Sequence, residues 1–205
     1  MYLSDLVPSV TVQIPGCTDD VAMSALVAGA VRFYRESTLW RESQKYTLRD
    51  GFDAIRLKTP DDTDIVAVKQ VLFEGVSVDA VRASEISVYA GAPAAKPSVY
   101  VVALRDKLVR LVPAASYTQE NAYDIECVLA PSKDADELLV DEFAAEFESA
   151  YVYAALAKLF AMPLFLNLQL ASYNEILYSD MAQQAMNKAQ GLLNGGVLST
   201  TYGGL

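Results

Sequence analysis

The chain has 205 residues, 53% of them hydrophobic and 20% charged, with a formal net charge of −10 at pH 7. That is too apolar and too weakly charged for a disordered chain, and it is long enough for one sizeable core with appendages rather than two full domains. Its 26 acids against 16 bases include no run of lysine and arginine, which argues against a surface that grips nucleic acid, because counterion release needs clustered cations.

An opening loop ends at the break Pro15-Gly16-Cys17-Thr18, after which a first helix is predicted from Asp19 to about Trp40. Thr18 is placed to cap it, and Asp19 and Asp20 favour its positive end. Ala22, Leu26, Gly29, Phe33 and Trp40 recur at helical spacing, with Arg32, Arg35 and Glu36 on more polar positions. From Gln44 to about Ala130 the pattern changes to short β-branched runs. Phe52–Leu57, Ile65–Phe73 and Val76–Val81 predict strands, separated by Thr59–Asp64 and by Glu74-Gly75. Ser98–Leu104 and Lys107–Val112 flank Arg105-Asp106 and predict a tight hairpin, and a last strand runs from Ala122 to Leu129 and stops at Pro131.

Asp134–Met162 predicts a second helix with Leu139, Phe143, Phe147, Tyr151, Ala154 and Leu159 on its apolar stripe. Asp136, Glu137, Asp141 and Glu142 gather in its first turns, and Pro163 ends it. Asn167 is placed to cap a third helix running to about Gln190, with Leu170, Tyr173, Leu177 and Met181 on one face. From Gly191 onward the glycines and hydroxyl residues suit an extended, flexible tail. The expected fold class is α+β: a helical bundle of three or more helices (1–43 and 134–190), an inserted β-rich subdomain (44–132) and an extended C-terminal tail (191–205). Phe33, Phe147, Leu159 and Leu177 are the expected anchors of its rigid part.

The sequence contains no histidine, which removes the commonest general base and metal ligand, and with them serine triads, zincin motifs and Cys–His pairs. It holds no P-loop and no Gly-x-Gly-x-x-Gly after a strand. Asp61-Asp62-Thr63-Asp64 is the nearest approach to an ion site, but it lacks the glycine and distal glutamate of an EF-hand and reads better as a solvated turn. Paired carboxylates can serve a glycosidase, yet the sequence does not rank its acids, and those of Asp134–Glu148 read as the solvated start of a helix. Tyr151, Tyr153, Tyr173 and Tyr178 could form a stacking platform; at helical spacing they read as amphipathic packing residues. Cys17 and Cys127 make neither a disulfide framework nor a zinc site. The longest apolar stretch, Ser149–Leu170, is interrupted by Lys158, Pro163, Asn167 and Gln169 and reads as buried helix rather than a membrane span. Met1–Asp5 has no signal-peptide pattern, so synthesis in a cytoplasm is expected.

Two stretches carry a resemblance. Leu6–Glu42 combines a proline-containing opening with a helix ending in a Phe-x-x-x-(Ser/Thr)-x-x-Trp-Arg-like pattern, Phe33 through Arg41. Further on, Pro97–Tyr100, Leu108–Pro113 and Val128–Pro131 precede the helix Tyr153–Pro163 with its Ala-Leu-x-x-Leu-hydrophobic-x-Met-Pro-like signature, followed by Asn167, Leu170, Ala171 and Tyr173. In order and spacing these pieces resemble the bacteriophage head-to-tail adaptor (head–tail connector) family, similar to podophage tail tubular protein A. Pro163–Asn167 departs from the more polar turn of that family, and residues 60–96 match poorly.

The resemblance implies a non-enzymatic structural subunit of the virion neck, assembled in the host cytoplasm, without cofactor, metal or membrane. It implies a homo-oligomeric ring of about twelve copies that binds the portal protein above and tail or nozzle proteins below. Double-stranded DNA would pass through the channel without specific binding, and the acidic balance suits a wall that repels phosphate; Asp61, Asp62, Asp64 and the Asp134–Glu148 group are its candidate acids. The tail is the expected portal-docking arm, because Leu192, Leu193, Val197, Leu198, Tyr202 and Leu205 give a glycine-rich end apolar anchors that order on binding, as in strand addition. A tail-terminator or other capsid or tail accessory protein shares the composition and remains an alternative, with a carboxylate-based hydrolase behind it.

Overall fold

The computed structural model describes residues 2–48, 54–59, 63–85, 99–112, 119–132 and 143–194. Among them it has four α-helices and two four-stranded sheets, a mixed α/β architecture consistent with the α+β class. The chain divides into two compact units, Met1–Leu39 with Ala135–Leu205, and Trp40–Asp134.

In the first unit the opening is helical, where the sequence predicted a loop. Leu3–Leu6 forms a 3-10 turn and Val7–Thr11 forms α1, with Pro8 in its first turn, where a missing N–H is harmless. Leu3, Leu6 and Val10 are buried, a spacing that lines up only on a helix. Helix α2, Asp19–Ser37, carries Asp19 and Asp20 in its first turn as expected, but the Thr18 side chain makes no capping bond. Instead the Thr18 carbonyl accepts the Ala22 N–H at 3.0 Å. The helix ends at Thr38, a β-branched residue in the left-handed region (φ 52°), so Trp40 lies beyond it and packs on the core of the second unit.

Helix α3, Glu148–Phe160, is shorter than predicted. Residues 143–147 form turns before it and Phe147 is its N-cap, while Asp136, Glu137, Leu139, Asp141 and Glu142 lie outside the described residues. The helix stops before Pro163, as predicted. Gly29 of α2 sits directly on α3: a side-chain carbon there would stand 2.9 Å from the Tyr151 carbonyl oxygen and 3.0 Å from Ala154 Cβ. The close approach brings Phe33 to 5.2 Å from Tyr151 and 5.3 Å from Phe147, ring centroid to centroid. The Tyr34 and Tyr151 hydroxyls meet at 2.9 Å, so two fully buried tyrosines share a hydrogen bond. Helix α4, Leu168–Asn194, starts at the expected cap, with the Asn167 side-chain oxygen accepting the Leu170 N–H at 3.1 Å. Among the described residues no helix is long and apolar enough to cross a membrane.

The second unit holds strands β1 Arg41–Leu48, β2 Ala54–Arg56, β3 Thr63–Phe73, β4 Val76–Ser77, β5 Asp79–Ala80, β6 Val99–Ala103, β7 Leu108–Val112 and β8 Gln119–Pro131. They form sheets of order β1-β8-β3-β4 and β2-β7-β6-β5. Side chains from both sheets, among them Ile55, Val109 and Leu111 from one and Val71, Phe73, Ile125 and Leu129 from the other, share one core. Strand β1 was not predicted, because Arg41–Leu48 is too polar to show an apolar alternation; it pairs antiparallel with β8. The single strand predicted at Val76–Val81 is two: β4 closes a hairpin on β3 through Glu74 and Gly75, both at positive φ, and β5 joins β6 in the other sheet. Val78, buried between them, turns the corner. The predicted hairpin at Arg105-Asp106 is present, with Lys107 left-handed at φ 52° between β6 and β7. Cys127 is buried in this core, which pushes its thiol up to about 11.

Two substitutions test the α2–α3 contact. Gly29→Ala should destabilise by about 1–3 kcal/mol, because the atom it meets is backbone and the helices must separate. Phe147→Ala should cost about 3–5 kcal/mol as a buried aromatic deletion. Urea melts followed by circular dichroism check both, and unchanged midpoints would remove the contact from its central place.

Candidate interaction surface

The residues expected to form the docking arm are only partly within the described chain. Helix α4 does not stop at Gly191 but runs on to Asn194, so Leu192 and Leu193 belong to a helix and not to an extended tail. A glycine inside a helix costs only about 1 kcal/mol, and the buried Ala185 and Ala189 hold the preceding turns in place. Val197, Leu198, Tyr202 and Leu205 lie outside the described residues.

The face of α4 that turns inward is not the expected one. Leu170, Tyr173, Leu177 and Met181 were the predicted apolar stripe, yet Leu170 and Tyr173 are exposed and the other two are half-buried. The buried positions are Asn174, Tyr178, Ala182, Ala185 and Ala189, one stripe of helical spacing made mostly of small side chains. A polar clamp fixes this orientation. Arg32 of α2 holds Glu175 with two hydrogen bonds of 2.9 and 2.5 Å, and its Nε donates to Glu36 at 2.9 Å. Tyr178 donates to the other Glu36 oxygen at 2.5 Å and lies under the Arg32 guanidinium, 4.2 Å from ring centroid to Cζ. The hydrogen bonds from Arg32 hold the Glu175 carboxyl below its usual range. Burial, and then the bond to Glu36, push the Tyr178 hydroxyl up. Further along, Lys188 pairs with Glu146 and stands 4.4 Å over the Phe143 ring, so that acid is already neutralised by its neighbour.

With α4 turned this way, large apolar side chains face solvent over the 3-10 turn Pro163–Phe165 and the first turns of α4. Leu164 is 79% exposed, Leu168 67%, Ile176 61%, Leu166 60% and Tyr173 59%, with Leu170 and Met162 next. No Asp, Glu, Lys or Arg occurs between Ala161 and Asn174. The legible signal is Leu164, Leu166, Leu168 and Leu170 at every second position across a corner, since no single helical face can bury all four. Apolar side chains exposed singly are ordinary on a protein surface, whereas seven within the fifteen residues from Met162 to Ile176 are a concentration of the kind that marks an interaction site.

The other candidates are dispersed. Asp64 lies on β3 opposite Ala130, while Asp61 and Asp62 lie outside the described residues. Among the described residues no three His, Cys, Asp or Glu side chains gather as a metal site would require. Tyr151 and Tyr178 are fully buried, which rules out a shared stacking platform with the exposed Tyr173. A scan against protein-family models finds no match to the chain, and a search of curated proteins finds none either.

Glu175 sets a pH dependence. Its folded carboxyl titrates below the ordinary value of 4.5, so its stabilisation is present above that value and is lost as the pH falls below it. Both partners are about two-fifths exposed, which limits the pair to about 1 kcal/mol. Glu175→Gln should therefore lower the urea midpoint at pH 7, and the gap to the parent should close at pH 3.

Proposed function

We propose that this chain is a non-enzymatic subunit of an oligomeric ring, the head-to-tail adaptor that joins the portal of a tailed bacteriophage to its tail proteins. The observation that carries the proposal is the apolar corner from Met162 to Ile176, which has no charged residue before Glu175. So many large apolar side chains exposed together suit a surface covered in an assembly better than one left in water. Such a surface meeting a different surface on the next copy makes a heterologous contact, the type that closes into rings. The order of segments that resembles the adaptor family supports the same reading, as does an acidic excess suited to a channel through which DNA slides. The helices are then the bundle that forms the ring wall, with the β-rich subdomain inserted between its halves. The portal-docking arm is shorter than the sequence suggested, beginning after Asn194, and residues 195–205 reach at most about 36 Å.

Native mass spectrometry and electron microscopy of the purified chain, alone and mixed with its portal protein, test the reading. The parent should form closed rings, and Leu164→Asp combined with Leu168→Asp should leave folded monomers with an unchanged melting temperature. A chain that stays monomeric in both settings overturns the proposal. Deletion of residues 195–205 should weaken portal binding at least about tenfold; equal binding would remove the docking role of the arm while leaving the ring intact.

A further inference from the structure

The sequence has no run of basic residues, but the fold of the second unit makes a cluster of them. Arg56 on β2, Arg105 and Lys107 at the β6–β7 hairpin, with Asp106 and Leu108, line one open cleft of about 640 Å³. Arg110 on β7 extends the group. In the β2–β7 ladder Arg56 stands opposite Leu108 and Arg110 opposite Ala54, so the two arginines share a face as diagonal neighbours, within reach of each other's long side chains. Arg56, Arg105 and Arg110 are exposed. Lys107 is half-buried and its Nζ donates to Thr59 Oγ1 at 3.1 Å, which fixes one ammonium at the cleft wall. Among the described residues only Asp106 brings a negative charge to the cleft.

We infer that this cleft binds the phosphate backbone of double-stranded DNA. Three of the four cations are arginines, whose planar forks suit phosphate oxygens in two-point contact. Arg56, Arg105 and Arg110 are exposed and free to meet a ligand, while Lys107 is held at the wall by Thr59. Among the described residues no Asn or Gln lines the cleft beside its cations, and the contact inferred is to the backbone, independent of sequence. The net charge of −10 does not forbid it. At physiological salt a charge is felt over about 8 Å, and the described residues that line the cleft carry three positive charges against one negative. The inference rests on this cluster alone and stands whether or not the chain forms a ring.

The test is fluorescence anisotropy of a labelled short duplex with the full chain, from about 50 to 200 mM salt. The parent should bind at the lower salt and weaken steeply as salt rises. The combined variant Arg56→Gln, Arg105→Gln, Arg110→Gln should lose at least about tenfold at the lower salt, and its log–log salt slope should fall by about 2 to 3, near 0.9 for each phosphate contact removed. A control, Lys45→Gln, Lys69→Gln, Arg82→Gln, removes the same charge from other exposed positions of this unit and should bind like the parent. Inorganic phosphate at matched ionic strength should compete no better than chloride, and poly-glutamate should compete less well than unlabelled duplex. No binding by the parent, or equal losses in the two variants, overturns the inference. Selective competition by inorganic phosphate would make the cleft a small-anion site instead, and poly-glutamate competing as well as duplex would make it a seat for an acidic protein surface; either result overturns it too.

Discussion

The helical unit is organised by the contact between Gly29 and the backbone of α3. With no side-chain carbon at Gly29, the axes of α2 and α3 come close enough for Ala154 and Ala155 to fill the remaining space. At that distance Phe33, one turn further along, meets Tyr34 and Tyr151 edge to face and Phe147 at a tilt, and the edge-to-face contacts are favoured by the ring quadrupoles. The Tyr34–Tyr151 hydrogen bond then satisfies two hydroxyls that burial would otherwise leave costly. Packed in this way, α2 and α3 together form the surface against which α4 lies.

The orientation of α4 follows from that surface. Its buried stripe of Ala182, Ala185 and Ala189 is small, so apolar area alone specifies its rotation weakly, and the stronger apolar residues lie on the opposite side. The network of Arg32, Glu36, Glu175 and Tyr178 supplies what the alanines lack. A guanidinium held by two carboxylates and lying over an aromatic ring has few alternative geometries. Rotating α4 to bury its leucines would break all of these bonds at once. The exposed corner is therefore a consequence of how the helix is held rather than of a shortage of apolar residues.

Charge is divided by the fold in a way that totals conceal. The second unit mixes both signs on the first sheet, where Glu126 of β8 pairs with Arg41 of β1, and gathers Arg56, Arg105, Lys107 and Arg110 at one edge of the other. Screening makes such local sign more consequential than the sum. A uniformly acidic surface, as the composition suggests, is thus not what an approaching polyanion meets at that edge.

Much of the architecture was legible in the sequence because it rests on local rules. The α2 periodicity of Ala22, Leu26, Gly29 and Phe33, the Asn167 cap, the break at Pro163 and the Glu74-Gly75 and Arg105-Asp106 turns each depend on residues within a few positions of one another. What failed were judgements that needed a neighbour distant in sequence. Strand β1 is polar and exists because β8 offers it a ladder; Val76–Val81 divides because two sheets compete for it; Leu192 and Leu193 are helical because α4 is already docked upstream of Gly191. Neither the outward turn of Leu164, Leu168 and Tyr173 nor the basic cleft is written in any local window. The first depends on Arg32 meeting Glu175 across 143 positions of sequence, and the second on strand pairing that brings Arg56 beside Arg110. Sequence determined which elements form, since that is a property of short segments; only tertiary structure decided which faces they show, because a face is chosen by the partner it packs against.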